Sequence, residues 1–366
     1  MFGHRERPTG SMGMKGMQRR DRVLVVAAIL GLNGCAAQVS PSPPGSAAPS
    51  APTGSPSPTV SPASSRSVHS GQTPVVTGTP IALAELSGRI VTDDFEDVFA
   101  FDVDGTDFVR VAANPAGPEF DGSWSPDGKR IAYRDSTRGI NEDDEIFIAS
   151  ADGTQHRNLT KNPANDWGPD WSPDGTTIAF NSDRDHEPGL RGYLVAPDGS
   201  NLRRIGVDAW IEYPSWSPDG QKLAFMGAIG SNYELFVVDL ASREVRRLTT
   251  SPGHDGWPAW SPDGSTIAFT SVRDDCAFAP PGAECWQTGD IGEHFDIWTI
   301  DADGSNLRRV TPEFGQFVAW SPDGRFLLIS GYALFVVRPD GTGRLEIRTP
   351  ALARALGGIP DWSAVH

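Results

Sequence analysis

The sequence predicts an all-β chain built from one repeated unit, and three observations carry that prediction. The pentapeptide Trp-Ser-Pro-Asp-Gly starts at 124, 171, 216, 260 and 320, and Asp361-Trp362-Ser363 supplies a truncated sixth copy. Each unit continues with an apolar triplet such as Ile178-Ala179-Phe180, a polar loop and an alternating run such as Tyr193 to Ala196, the period-two pattern of half-buried strands. Hydrophobic residues make up 38% and charged residues 21%, which excludes a polytopic membrane protein, a long coiled coil and a chain disordered throughout.

The Trp-to-Trp spacings are 47, 45, 44, 60 and 42 residues, and the outlying 60 contains the Cys276 to Cys285 segment, read as an insertion. Four strands per unit of about 45 residues describe a β-propeller. The pattern gives a single six-bladed propeller of four-stranded antiparallel blades. Residues 88 to 113 supply three strands, around Ile90, Phe99 and Val109, without a preceding Trp strand, while the last Trp strand has no three strands after it. The C-terminal strand is therefore expected to complete the first blade as its innermost member, which leaves no open sheet edge.

In chain order, residues 1–34 read as an export signal: Arg19, Arg20 and Arg22 precede an apolar run from Val23 to Leu32 that is too short for a permanent span. The ending Leu32-Asn33-Gly34-Cys35 resembles the bacterial lipoprotein lipobox, which implies lipidation of Cys35 as the mature N-terminus. Residues 35–84 are then the anchor cysteine and a tether rich in Pro, Ser, Ala and Thr, too poor in apolar side chains to fold. Residues 85–366 are the propeller. Cys276 and Cys285 are expected to form a disulfide in an exported chain; two free thiols or half a metal site are the alternatives.

Within each unit Ser-Pro-Asp-Gly specifies its own hairpin, because Pro fixes the first central φ, Asp suits the second and Gly takes the left-handed position. Turns after strands one and three fall on one face and look structural. Loops after strands two and four vary, share the other face, and are the expected location of any site. Five residues before the Trp, three units carry Glu119, Asp166 or Asp255, and the same three carry Arg138, Arg184 or Arg273 after strand two. This joint occurrence predicts structural ion pairs within each blade. Trp167, Trp210, Tyr213 and Trp257, with Phe120 and Phe317, gather near the channel mouth, and Trp286 lies in the insertion. Together with His254 these are the candidate partner-binding residues, since flat amphipathic side chains suit a peptide, a sugar or a partner's anchor. The repeated Trp124, Trp171, Trp216, Trp260, Trp320 and Trp362 are assigned to the core between blades.

The Ser-Pro-Asp-Gly series, with Asp-Gly-Ser-Asn turns and Arg-Arg-Leu-Thr segments, resembles the TolB-like WD40-like (PD40) propeller repeat family over residues 85–366. That resemblance implies the propeller fold but no one function, since similar repeats occur in peptidase propellers and in sugar-processing lyases; the lipobox, the tether and the lack of an assembled catalytic constellation point to binding in the cell envelope. Similar propellers also act as sugar-processing lyases with histidines around a channel-bound cation, and His186, His254 and His294 fall on the loop face without a ligand-spaced motif. Acid clusters at Asp183, Asp185, Asp274, Asp275 and Glu142 to Glu145 match no calcium loop and allow at most weak Ca²⁺ binding; no cofactor or resident metal is expected. The formal charge of −16 makes nucleic acid an unlikely partner. The expected function is an exported, membrane-anchored lipoprotein, monomeric and non-catalytic, binding an envelope protein or extracellular ligand on the periplasmic or extracellular side. The alternatives are a polysaccharide lyase and a glycan-binding sensor.

Overall fold

A computed structural model describes residues 78–112, 114, 117–136, 144–185, 189–230, 232–273, 295–311, 315–331, 333–348 and 357–365. The expected signal segment, Cys35 and most of the tether lie outside the described residues, as do Arg138, His186, Cys276, Cys285, Trp286 and His294. The chain divides into units 1–74 and 75–366, and the second is the propeller.

Among the described residues twenty-four strands form six four-stranded sheets, all paired antiparallel. Blade 1 holds β1 (Arg89–Asp93), β2 (Val98–Asp102) and β3 (Val109–Ala112). Blade 2 holds β4 (Glu119–Trp124), β5 (Arg130–Ser136), β6 (Asp144–Ser150) and β7 (Arg157–Asn158). Blade 3 holds β8 (Asp166–Trp171), β9 (Ile178–Ser182), β10 (Arg191–Val195) and β11 (Arg203–Arg204). Blade 4 holds β12 (Glu212–Trp216), β13 (Lys222–Ile229), β14 (Asn232–Asp239) and β15 (Val245–Arg247). Blade 5 holds β16 (Asp255–Trp260), β17 (Thr266–Ser271), β18 (Asp296–Asp301) and β19 (Arg308–Arg309). Blade 6 holds β20 (Phe317–Trp320), β21 (Leu327–Ser330), β22 (Phe335–Val337) and β23 (Arg344–Glu346). The last strand, β24 (Asp361–Ser363), joins the inner side of β1 with Trp362 opposite Ile90. The ring closes as the sequence predicts.

The core consists of six apolar clusters, each containing residues of two neighbouring blades. Trp171, for example, packs with Ile146 and Ile148 of blade 2 and with Phe180 and Tyr193 of blade 3. Every repeated Trp belongs to such a cluster, which is why the unit needs a large flat side chain at that point; a fully buried large apolar side chain contributes roughly 1.5–3 kcal/mol. Closure is secured at the same level: Trp362 Nε1 donates to the Ser87 carbonyl at 2.9 Å, and Ile81 is buried beside Phe326 and Trp362.

The Ser-Pro-Asp-Gly turn is self-contained. The Ser125 hydroxyl donates to Asp127 Oδ1 at 2.6 Å, and Gly128 N–H returns to the Ser125 carbonyl at 2.8 Å with Gly128 at φ 65°. Turns also nest around the ring, since the glycines Gly175, Gly220, Gly264 and Gly324 face Pro126, Pro173, Pro218 and Pro262 of the preceding blade. Val365 takes that place against Gly128. The Leu-Thr segments have an equally local cause. Thr160, Thr249 and Thr311 accept through their hydroxyls from the N–H of Ile146, Leu235 and Ile297, pinning the outer strand of each blade to the third.

Candidate functional site

The inner strands of blades 2 to 5 do not run regularly. Phe120 pairs with Arg134 but Ser123 with Ala132, so one extra residue is inserted, and the same shift recurs in β8, β12 and β16. Each bulge places one residue in the left-handed region: Asp121 at φ 57°, Gly168 at 58°, Tyr213 at 46° and Trp257 at 51°. A non-glycine residue there costs about 1–2 kcal/mol, and the bulge re-aims its side chain. Blade 6 has no bulge, and Phe317 lines the channel from a regular ladder.

These residues shape a central cavity of about 440 Å³, walled by the inner strands from the bulges to the turn prolines. At the bulge end the Trp257 ring meets Tyr213 at 5.9 Å and Phe317 at 5.1 Å between centroids, and Trp257 and Phe317 are buried. At the other end stand the exposed prolines Pro126, Pro173, Pro218 and Pro262. The cavity therefore opens on the face of the tight turns, whereas the sequence places the variable loops, and any site, at the opposite end.

Its wall is two-sided. The acidic side chains of the lining, Asp121, Asp170 and Asp361, all come from blades 1 to 3, beside Trp124, Trp171 and Trp362, while blades 4 to 6 contribute Tyr213, Ser215, Trp257, Ala259, Phe317 and Ala319. The carboxylates also fasten neighbouring blades. Asp361 Oδ2 accepts from Trp124 N–H, and Asp170 Oδ2 from Trp216 N–H, each at 2.7 Å. Burial pushes the Asp170 carboxyl up to about 7, partly opposed by the Trp216 N–H and reinforced by Asp361. Burial likewise raises Asp121 to about 6, against the pull of Arg134. Behind Asp121, Arg134 is buried, pairs with Asp144 at 2.7 Å, and lies over the Phe120 and Trp167 rings at 4.9 and 5.9 Å. Trp167 Nε1 donates to Asp144 Oδ2 at 2.6 Å. Trp167 is thus buried in a polar network behind the channel wall.

The remaining candidates sit apart from the cavity. Trp210 is half-buried, donates through Nε1 to Glu212 and meets Tyr233 edge-on at 6.4 Å; Tyr233 in turn meets His254 at 5.2 Å. The structure joins Trp210 and His254 through Tyr233, which the sequence analysis did not single out. Burial raises the Glu212 carboxyl to about 7.

Of the expected ion pairs, Arg184 Nη2 donates to both oxygens of Asp166 at 2.9 Å, and Arg273 Nη2 to Asp255 at 2.6 Å. Both carboxylates are fully buried. Glu119 is buried too and accepts from the Asn114 N–H, while its expected partner Arg138 lies outside the described residues. Burial raises the Glu119 carboxyl to about 8. A second series of ion pairs has no local sequence signature: Arg204 with Asp185 at 3.0 Å, Arg247 with Glu234 at 2.8 Å and Arg309 with Asp296 at 2.8 Å. These use the second Arg of the Arg-Arg segments, and only the strand register reveals their partners.

Fold and channel define the protein as a closed six-bladed propeller with a preformed axial cavity. The chain belongs to the TolB beta propeller family, whose PD40 domain matches residues 93–211 and 210–276. A "Protein TolB homolog" of Chlorobium luteolum is 30% identical over 126 residues, and an uncharacterized protein of Agrobacterium fabrum 35% identical over 102. These alignments span 27% and 33% of those relatives' lengths. Among solved structures, TolB from Acinetobacter baumannii superposes with TM-score 0.59 at 19% identity, covering 75% of this chain and 66% of that one. Putative TolB from Agrobacterium tumefaciens gives 0.55 at 21% identity, covering 72% and 88%. At such identities the likeness is one of fold. No helix among the described residues is long and apolar enough to cross a membrane.

Proposed function

We propose that the chain is an exported lipoprotein, anchored through Cys35, whose propeller is a non-catalytic binding module of the cell envelope. The observation that carries this reading is the two-sided channel. Carboxylates on blades 1 to 3 face an aromatic and apolar wall on blades 4 to 6, in a cavity whose open rim is built from rigid proline turns. Such a cavity suits a segment of a partner protein with a cationic group on one side and an apolar group on the other, and rigid walls reduce the ordering cost of binding. Membership of the TolB propeller family supports an envelope setting and a protein partner. The lipobox-like Leu-x-Gly-Cys and the Pro/Ser tether support anchoring.

Ser215 lines the channel, and replacing it with Trp fills the cavity while leaving the blade clusters intact. Envelope proteins solubilised in detergent should be retained by the parent protein and lost on Ser215→Trp, with the thermal midpoint of the variant unchanged. Equal retention by both would remove the channel from the reading.

A further inference from the structure

On the turn face, between blades 4 and 5, a second pocket of about 310 Å³ lies beside Trp260, sharing Ser217, Pro218 and Trp260 with the rim of the channel. Its origin is a difference between junctions. At the junction of blades 2 and 3 the Arg130 guanidinium covers the Trp171 ring at 4.7 Å, and at that of blades 1 and 2 Arg89 covers Trp124 at 5.3 Å; both indoles are buried. Lys222 occupies the position of Arg130. Each opens the second strand of its blade and donates its N–H to the turn serine at 2.9 Å. Among the described residues Lys222 covers no ring and joins no ion pair, and Trp260 remains half-buried. A lysine here leaves open the space that an arginine fills.

The pocket's polar groups are of mixed sign. Lys222 and Arg246 line it together with Asp219, Asp239, Glu244 and Asp263. Each Asp uses Oδ1 within its own turn, accepting from Ser217 Oγ at 2.6 Å, Ser242 N–H at 2.8 Å and Ser261 Oγ at 2.6 Å respectively. The second oxygen of each remains for an outside donor. Four carboxylates disfavour an anion, and two cations in the same wall disfavour a metal ion. Hydroxyl groups answer both signs, donating to carboxylates in charge-assisted bonds and accepting from an ammonium. A half-exposed indole supplies a flat apolar platform, and the volume falls within the usual range of small-molecule sites.

We propose that this inter-blade pocket binds a neutral saccharide, stacked on Trp260 and held by Lys222 and the turn carboxylates. Saturation-transfer NMR on the full chain with cellobiose and N,N′-diacetylchitobiose is the test, with digalacturonate as the acidic counterpart. At least one neutral disaccharide should bind and digalacturonate should not. Lys222→Arg, which closes the pocket as Arg130 does over Trp171, should weaken binding at least about tenfold, equivalent to ~1.4 kcal/mol. Trp260→Phe should do the same, and Ser215→Trp in the channel should change nothing. The proposal is overturned if neither neutral disaccharide binds, if Lys222→Arg binds like the parent, if digalacturonate binds equally, or if Ser215→Trp abolishes the signal.

Discussion

Replacing Arg184 with Met tests whether the buried acids of the inner strands are held by their own blade. Asp166 is fully buried and receives Arg184 Nη2 on both oxygens and Asn162 Nδ2 at 2.7 Å. Burial raises its carboxyl above the usual range, and Arg184 is the first influence opposing that rise. Removing one partner of a buried pair costs about 3–5 kcal/mol, because the remaining charge is stranded. In a domain of this size each kcal/mol moves the midpoint by roughly 2–4 °C, so Arg184→Met should melt roughly 6–20 °C lower near neutral pH. The sign with pH is fixed. A raised carboxyl favours its neutral form in the fold, that stability is fully present in acid, and it is lost as pH rises. Without Arg184 the carboxyl rises further, so the deficit should be larger near about pH 7.5 than near about pH 5. Calorimetric melts of parent, Arg184→Met, Asp166→Asn and the double variant at both pH values measure it, and the double variant should recover most of the loss. A deficit that is equal at both pH values, or below about 1 kcal/mol, would show that Arg184 acts only by packing on Phe180 and Tyr193.

Other expectations follow from the same accounting of buried groups. Glu119, Glu212, Asp170 and Asp121 are all raised chiefly by burial, to about 8, 7, 7 and 6. Their contribution to stability is complete only below about pH 4, where the unfolded carboxyls are also protonated, and is lost as pH rises through 6 to 8, so the melting midpoint should fall between about pH 5.5 and 8.5; Glu119→Gln should flatten the upper part of that decline, and an unchanged profile would contradict its burial as a carboxyl. Ending the chain after Pro360 removes β24, Trp362 and the bond from Trp124 N–H to Asp361. Loss of a buried Trp alone costs about 3–5 kcal/mol, so the truncated chain should lose its sharp cooperative melt in circular dichroism.

The fold was legible because the repeat writes its own geometry. Trp spacing gives the blade, Ser-Pro-Asp-Gly gives the hairpin, and the missing first and last strands give the closure. The bulges were less legible, although they leave a trace: Pro169, Pro214 and Pro258 stand two residues before the Trp, inside strands. A proline there donates no ladder bond and marks an irregular strand. Val318 at that position in blade 6 accompanies a regular ladder. Which end of the channel is open was not legible, because it depends on the bulges turning Tyr213 and Trp257 toward the axis. The latch between Asp170 and the Trp216 N–H joins groups 46 residues apart, and no local pattern signals it. Likewise Arg247 and Glu234 look like solvated surface charges until the register sets them side by side.

Closure of the first blade by the last strand has a consequence in time. Synthesis delivers β1, β2 and β3 early, yet Ile90 and Val91 of β1 meet β24 only when Asp361 to Ser363 emerge. For most of its synthesis the chain carries an apolar strand with one bare edge, the kind of surface that recruits other chains. The native pairing also spans nearly the whole propeller, which places it among slowly formed, high-contact-order structures. The first blade is thus completed after all the others, and the edge of β1 stays bare until Asp361 to Ser363 arrive.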